Sequence, residues 1–396
     1  MRSRVAVLAV CLVTLGCAAE SPPVASAPSS PGTPAVPAPS ASATSAVPAP
    51  SSPGTSAVPA SSPSATPGVT FSGSWVRVPG LPGDNAWERG LSDVSAAGPG
   101  LAWAVGYTGW EDDVATSLRV WDGSRWHAVP VREGLGGLAG IDSDGPRNAW
   151  MVGGGFYGSS VVQHWDGHAW RRHRVRGHVR DVAVDGRRTV VISDTAVLTW
   201  NGAAFVTERT LGDDETRLLA VDTGAGHTWV TGVRGDRPVI WHGYGGGYEE
   251  TVLPKGSLNA ILQIGPDDVW AVGGADGRPM ALHWDGRSWR RPAIPQWKGE
   301  LQSVTAFGPD DVWFAGEDYD APAWIEGDTS GGDDDHDALG AITVLHWDGR
   351  NWTRERPRAG AAHHAVIERI PGTSRLWLMV NVENGDSESI VTFRRE

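Results

Sequence analysis

The chain has 396 residues, 40% of them hydrophobic, with 52 Gly, 21 Trp and two Cys. A formal net charge of −13 repels a phosphate backbone and argues against nucleic acid as a partner. Both cysteines, Cys11 and Cys17, lie near the N-terminus, so none remains further on for a disulfide, a catalytic thiol or a metal thiolate.

In chain order, Arg2 and Arg4 precede an apolar run from Val5 to Leu15 that is too short to span a bilayer. Residues 1–16 therefore read as a secretory signal peptide. The following "TLGC" resembles the bacterial lipobox. That resemblance implies lipidation of Cys17 and export to the cell envelope, with the chain held on the outer side of a bacterial membrane by its lipid anchor alone. From Ala18 to Gly68 the sequence is almost wholly Pro, Ala, Ser, Thr, Val and Gly, with no charge after Glu20. Such a composition cannot bury a core, so residues 17–68 are expected to form a disordered tether.

The remainder is repetitive. "VWDGSRW" at 120 recurs as "QHWDGHAW" at 163, "LHWDGRSW" at 282 and "LHWDGRNW" at 345, with looser copies "LTWNGAAF" at 198 and "VIWHGYGGGY" at 239. Upstream of each copy lies a second block, such as "GLAWAVG" at 100, "DDVWAVG" at 267 or "DDVWFAG" at 310, and before that a strand of small residues such as "LSDVSAAG". From Trp103 to Trp150 is 47 positions, from Trp229 to Trp270 is 41, and from Trp270 to Trp313 is 43. This is the period of a four-stranded propeller blade. Asp-Gly favours a tight reversal, which places Trp284 and Trp289 on one sheet face, where flat aromatic area can fill the wedge between blades.

Six complete units fall at 91–134, 135–177, 178–212, 213–256, 257–299 and 300–360. A seventh, 361–396, ends one strand short, and "SGSWVRVPG" at 72 supplies a matching strand, 72–80. The expected fold is all-β: a seven-bladed β-propeller over residues 69–396, closed by an N-terminal strand and preceded by a disordered linker.

The Gly-Gly pairs Gly153-Gly154 and Gly273-Gly274, followed by Trp165 with Trp170 and Trp284 with Trp289, resemble the kelch repeat of galactose-oxidase-type propellers. More closely, "GPDDVWAVGG…LHWDGRSW" is similar to a repeat of exported bacterial propeller proteins. Galactose oxidase itself needs a copper site with a tyrosine cross-linked to cysteine, and with no cysteine beyond position 17 that activity is excluded. His164, His283 and His346 occupy the same place in different blades, so they point apart around the ring and read as packing groups beside the turns.

Two departures from the repeat carry information. Between Glu317 and Asp337 lie nine acidic residues and no Lys or Arg, in an insertion between the second and third strands of blade 6. The same connection holds Asp112 and Asp113 in blade 1, and Glu383 and Asp386 in blade 7. A solvated acidic excursion is one reading. A Ca²⁺ site using Asp318, Asp320, Asp328, Asp333 and Asp335 is the sharper one, with Asp112, Asp113, Glu383 and Asp386 as further ligand-binding candidates. Elsewhere "WRRHRVRGHVRD" at 170 carries five Arg and two His, a solvated connection or a grip for an anionic envelope polymer.

The function expected is a non-enzymatic binding or scaffold module for an envelope glycan or protein, acting as a monomer. The alternative is a carbohydrate-active enzyme, a glycoside hydrolase or lyase, with Asp84, Glu88, Asp112, Asp318 and Glu383 as candidate carboxylates. That chemistry needs two of them roughly 5–10 Å apart in a pocket.

Overall fold

In a computed structural model that describes residues 75–79, 89–109, 114–131, 137–154, 159–186, 188–321, 340–384 and 387–396, every repeat folds as one four-stranded antiparallel sheet. Seven such sheets form a β-propeller, and no helix occurs among the described residues. The innermost strands are Arg89–Gly98, Leu138–Gly145, Val179–Asp185, Thr216–Gly224, Ser257–Gly265, Gly299–Gly308 and Ala362–Arg369, in blades 1 to 7. They pack side by side around the propeller axis.

The aromatic motif builds both the hairpin and the seam. Trp121 pairs with Trp126, Trp165 with Trp170, Trp284 with Trp289 and Trp347 with Trp352, each across a four-residue loop. Within that loop only the glycine takes the left-handed backbone, with φ of 83° at Gly286 and 94° at Gly123. The aspartate has a different task from the one Asp-Gly has in a two-residue turn. Its Oδ1 accepts the backbone N–H groups two and three residues on, as Asp285 does from Arg287 and Ser288 at 3.1 and 2.9 Å.

Each aromatic pair then covers the central Trp of the preceding blade. Trp284 and Trp289 both lie 5.5 Å from Trp229, and Trp121 and Trp126 lie 4.9 and 5.4 Å from Trp377. These geometries are tilted or edge-on, as aromatic quadrupoles prefer. The repeated histidines complete the packing. His346 stacks on Trp313 at 3.8 Å, while its Nε2 bonds Asp311 Oδ1 at 2.8 Å, the same oxygen that accepts the Trp313 indole N–H. His164 on Trp150 with Asn148 repeats the whole arrangement, while His283 on Trp270 with Asp268 repeats the stacking and the histidine bond but leaves the Trp270 indole N–H without a partner among the described residues.

Blade 7 closes the ring with the N-terminal strand Trp75–Val78, which pairs antiparallel with Ser387–Arg395. The seam with blade 6 lacks an aromatic pair and is sealed differently. Trp75 packs half-buried against the apolar cluster that includes Trp313 and donates its indole N–H to Glu355 at 2.7 Å. The Arg395 guanidinium lies 4.4 Å from the centre of the Trp313 ring and reaches Glu355 Oε1 at 3.2 Å.

Hydrogen bonds from side chain to backbone join the inner strands around the axis. Asp93 accepts from the N–H of Ile141, Asp142 from Val184, Asp181 from Val221 and Asp222 from Gln263, at 2.6–2.9 Å, so each carboxylate of blades 1 to 4 holds the next blade. Neutral groups serve elsewhere: Gln302 Oε1 accepts from Ala365 N–H, and Asn381 exchanges two bonds with Leu91. Burial is the largest cause raising these acids, and neighbouring carboxylates add to it. Asp93 and Asp222 are pushed up to about 7, Asp142 to about 6, Glu368 on the same ring to about 8, and Asp181 well above its ordinary value.

Two outcomes follow. Removing residues 69–80 leaves the edge of Ser387–Arg395 unpaired, so the truncated chain is expected to melt earlier and lose solubility. Trp75→Ala alone should cost up to about 3 kcal/mol in urea unfolding, the low end for an indole because Trp75 is only half-buried; a midpoint unchanged in both proteins would show that closure does not rest on this strand.

The second outcome concerns pH. The folded ring keeps protons that the unfolded chain releases above pH 4, so the contribution of these acids is fully present below pH 4 and is lost as pH rises toward 7–8. His242 and His364, pushed down to about 4 by burial, and His164 and His173, also lowered by burial, act in the opposite sense but are fewer than the five raised axial acids. The melting temperature is therefore expected to fall between pH 5 and pH 8, and a rise over that range would contradict the axial assignment.

Candidate functional site

The upper face of the propeller is the one where inner strands begin and second strands end. There each inner strand carries a β-bulge. The extra residue is Ser92, Ala139, Arg180, Leu219, Asn259 or Gln302 in blades 1 to 6, three positions before the residue opposite the central position. In blade 7 it is His363, two residues earlier relative to Trp377. A bulge re-aims the side chain it carries, so these residues form a rim of mixed chemistry that the regular repeat does not specify.

One half of that rim is basic and concave. A cavity of about 380 Å³ is lined by Ala139, Ser160, His178, Arg180 and Leu219, among others, and no carboxylate is in its wall. Arg180 is half-buried there and makes no ion pair among the described residues; its Nε is closed to solvent with no hydrogen-bond partner. Burial pushes its guanidinium below the usual value, the charge of Arg217 adds to that, and Asp194 opposes it. A cation held this way, partly stripped of water and beside a second cation, favours an anionic guest.

The other half is acidic. Glu300 and Glu317 face each other directly across the first two strands of blade 6. Glu317 is 4% exposed, accepts from Gln302 Nε2 at 2.6 Å and from the Tyr319 hydroxyl, and is pushed up to about 7 chiefly by burial. Ser257 Oγ lies 3.1 Å from Glu300 Oε2.

Of the residues singled out in the sequence, Asp318 and Asp320 sit at the start of the blade 6 excursion and have internal duties. Asp318 is fully buried, and its Oδ2 accepts from both Arg354 and Arg356. It serves as a counter-ion to both inside blade 6. Arg354 in turn lies 4.2 Å from the centre of the Trp297 ring. Asp320 Oδ2 accepts the Lys298 backbone N–H at 2.6 Å, pinning the connection into blade 6. Glu383 lies at the upper rim of blade 7 beside His363. Cys17, Asp84, Glu88, Asp112, Asp113, Asp328, Asp333, Asp335 and Asp386 lie outside the described residues.

Sequence reasoning passed over Arg180, Glu300, Glu317, His363 and Glu388. Arg180 stood within a noticed basic stretch, but its lack of an ion pair among the described residues depends on the bulge and has no signature in the sequence.

No protein-family model matches the chain, and no curated protein does. Solved structures do. The chain is similar to YCF48 bound to a D1 peptide, with TM-score 0.54 and 12% identity, covering 84% of this chain and 100% of that one. It is also similar to the β-propeller domain of Cps50 (Swd1) from Myceliophteria thermophila, with TM-score 0.52 and 10% identity, covering 78% of this chain and 100% of that one. At these identities the likeness establishes the fold they share with this chain, the β-propeller.

Proposed function

We propose that the chain is an envelope-anchored binding propeller, non-enzymatic, whose upper face captures a protein partner through an acidic segment or a C-terminal carboxylate seated against Arg180. The observation that carries this reading is the partnerless Arg180 Nε in the wall of a cavity of about 380 Å³. A pocket of that size accommodates one or two side chains of an extended segment rather than a whole domain. YCF48, a propeller of similar fold, is seen bound to a D1 peptide, which lends the peptide reading an analogue. An anionic envelope glycan would meet the same cation. The carbohydrate-active alternative has less support, because Asp318 is spent on two arginines and Glu383 faces a histidine. Lipidation of Cys17 and the tether would hold this face on the outer side of a membrane, within reach of envelope partners.

The test of the site uses fluorescence anisotropy of a labelled oligoglutamate peptide, and of its oligoglutamine counterpart, with the full-length chain at fixed salt. The glutamate peptide is expected to bind. Arg180→Ala should weaken it about ten- to a hundredfold, the worth of one hydrogen-bonded charge, with Arg180→Lys in between. Equal affinity in wild type and Arg180→Ala would refute the site. Separately, Cys17→Ser is expected to move the protein from the membrane fraction to the soluble fraction with its melting temperature unchanged. A variant that stays with membranes through a carbonate wash would refute the lipid anchor.

A further inference from the structure

Three ligand-type side chains converge on blade 7, at the upper rim and away from the Arg180 cavity. Glu383 and Glu388 are direct Cα partners in the second and third strands. Like charges placed opposite each other in a sheet repel. The bulge residue His363, on the neighbouring inner strand, brings its ring to both. Its Nδ1 lies 3.9 Å from Glu383 Oε1 and its Nε2 lies 3.7 Å from Glu388 Oε1. One nitrogen and one oxygen from each carboxylate fall within 4.8 Å of one another. His363 Nδ1 is closed to solvent and has no hydrogen-bond partner. Both separations to the carboxylates exceed a hydrogen bond, so the carboxylates flank the ring at ion-pair distance without hydrogen-bonding it.

We propose that His363, Glu383 and Glu388 form a binding site for a divalent transition ion of the Zn²⁺ class. The ligand chemistry separates this site from the Ca²⁺ reading of the acidic excursion. An imidazole with two carboxylates suits Zn²⁺, whereas Ca²⁺ takes about 6–8 oxygen ligands. Ligands at about 2.0–2.2 Å in a tetrahedron stand roughly 3.3–3.5 Å apart. The three side chains, all half-buried, need only rotamer adjustment to close from 4.8 Å or less. Three protein ligands leave a fourth position for water or for an oxygen from a partner. The bulge provides the specific opportunity: without the extra residue, the inner strand would present the alternation of its neighbours rather than a histidine at this height.

The experiment is titration calorimetry of the full-length chain with ZnCl₂ and with CaCl₂, repeated on His363→Ala and Glu383→Gln, with melting in EDTA as a check of folding. The expected result is one zinc equivalent per chain that weakens at least tenfold in both variants, while their melting in EDTA matches wild type. Calcium should give no heat that the two substitutions alter. Absence of zinc binding, or zinc binding of equal strength in the variants, would overturn the site and leave His363 as an ion-pair partner of two glutamates. If a variant melts early in EDTA, His363→Gln and the charge-keeping Glu383→Asp replace it; unchanged zinc affinity in both of these would overturn the site equally. Because Arg180 takes no part, failure here leaves the anion pocket untouched, and the reverse holds.

Discussion

Seven strands crowded on one axis cannot leave their backbone N–H groups without partners, and that constraint shapes everything above it. In blades 1 to 4 the solution is a carboxylate that reaches from each inner strand to the next: Asp93 to Ile141, Asp142 to Val184, Asp181 to Val221, Asp222 to Gln263. The arrangement alternates in height, since Asp142 and Asp222 lie opposite their central Trp residues while Asp93 and Asp181 lie beyond the bulge. Acids placed this way fix the register of neighbouring blades, and they cost solvation, which is why burial raises them. The fold trades electrostatic comfort at its axis for a defined geometry at its rim.

At the periphery the binding force is of another kind. Aromatic pairs press on the central Trp of the neighbouring blade, and a histidine tied to Asp or Asn covers its other side. This part of the molecule was legible in the sequence, because the same few residues must recur wherever the same wedge recurs. Strand order, blade number and closure by Trp75 could be read from spacing alone. So could the structural standing of His164, His283 and His346.

The site was far less legible, for reasons that can be named. Acidity in the blade 6 insertion suggested open ligands, yet Asp318 had partners waiting on and just after the fourth strand, Arg354 and Arg356, 36 and 38 positions on. Composition reports charge but not pairing. Arg180 presents the converse, a residue in an ordinary basic run that makes no ion pair among the described residues and whose Nε is buried without a hydrogen-bond partner. The bulges that turn Arg180 and His363 to the rim leave no mark in hydrophobic alternation, because a single extra residue in small polar company does not disturb the pattern.

A ring built by repetition thus offers function at the points where repetition lapses. Its upper face is divided, with a half-buried cation that makes no ion pair among the described residues over blades 2 to 4, and buried or clustered carboxylates over blades 6 and 7. That division suits a partner whose own charges are asymmetric. Amide hydrogen exchange of the full-length chain, with and without the oligoglutamate peptide, tests the assignment most directly. The account predicts slowed exchange in 137–142 and 178–182, the segments that carry Ala139 and Arg180, with the Asp-Gly turns of the opposite face unchanged. Protection confined to those turns, or to blades 5 to 7, would contradict it.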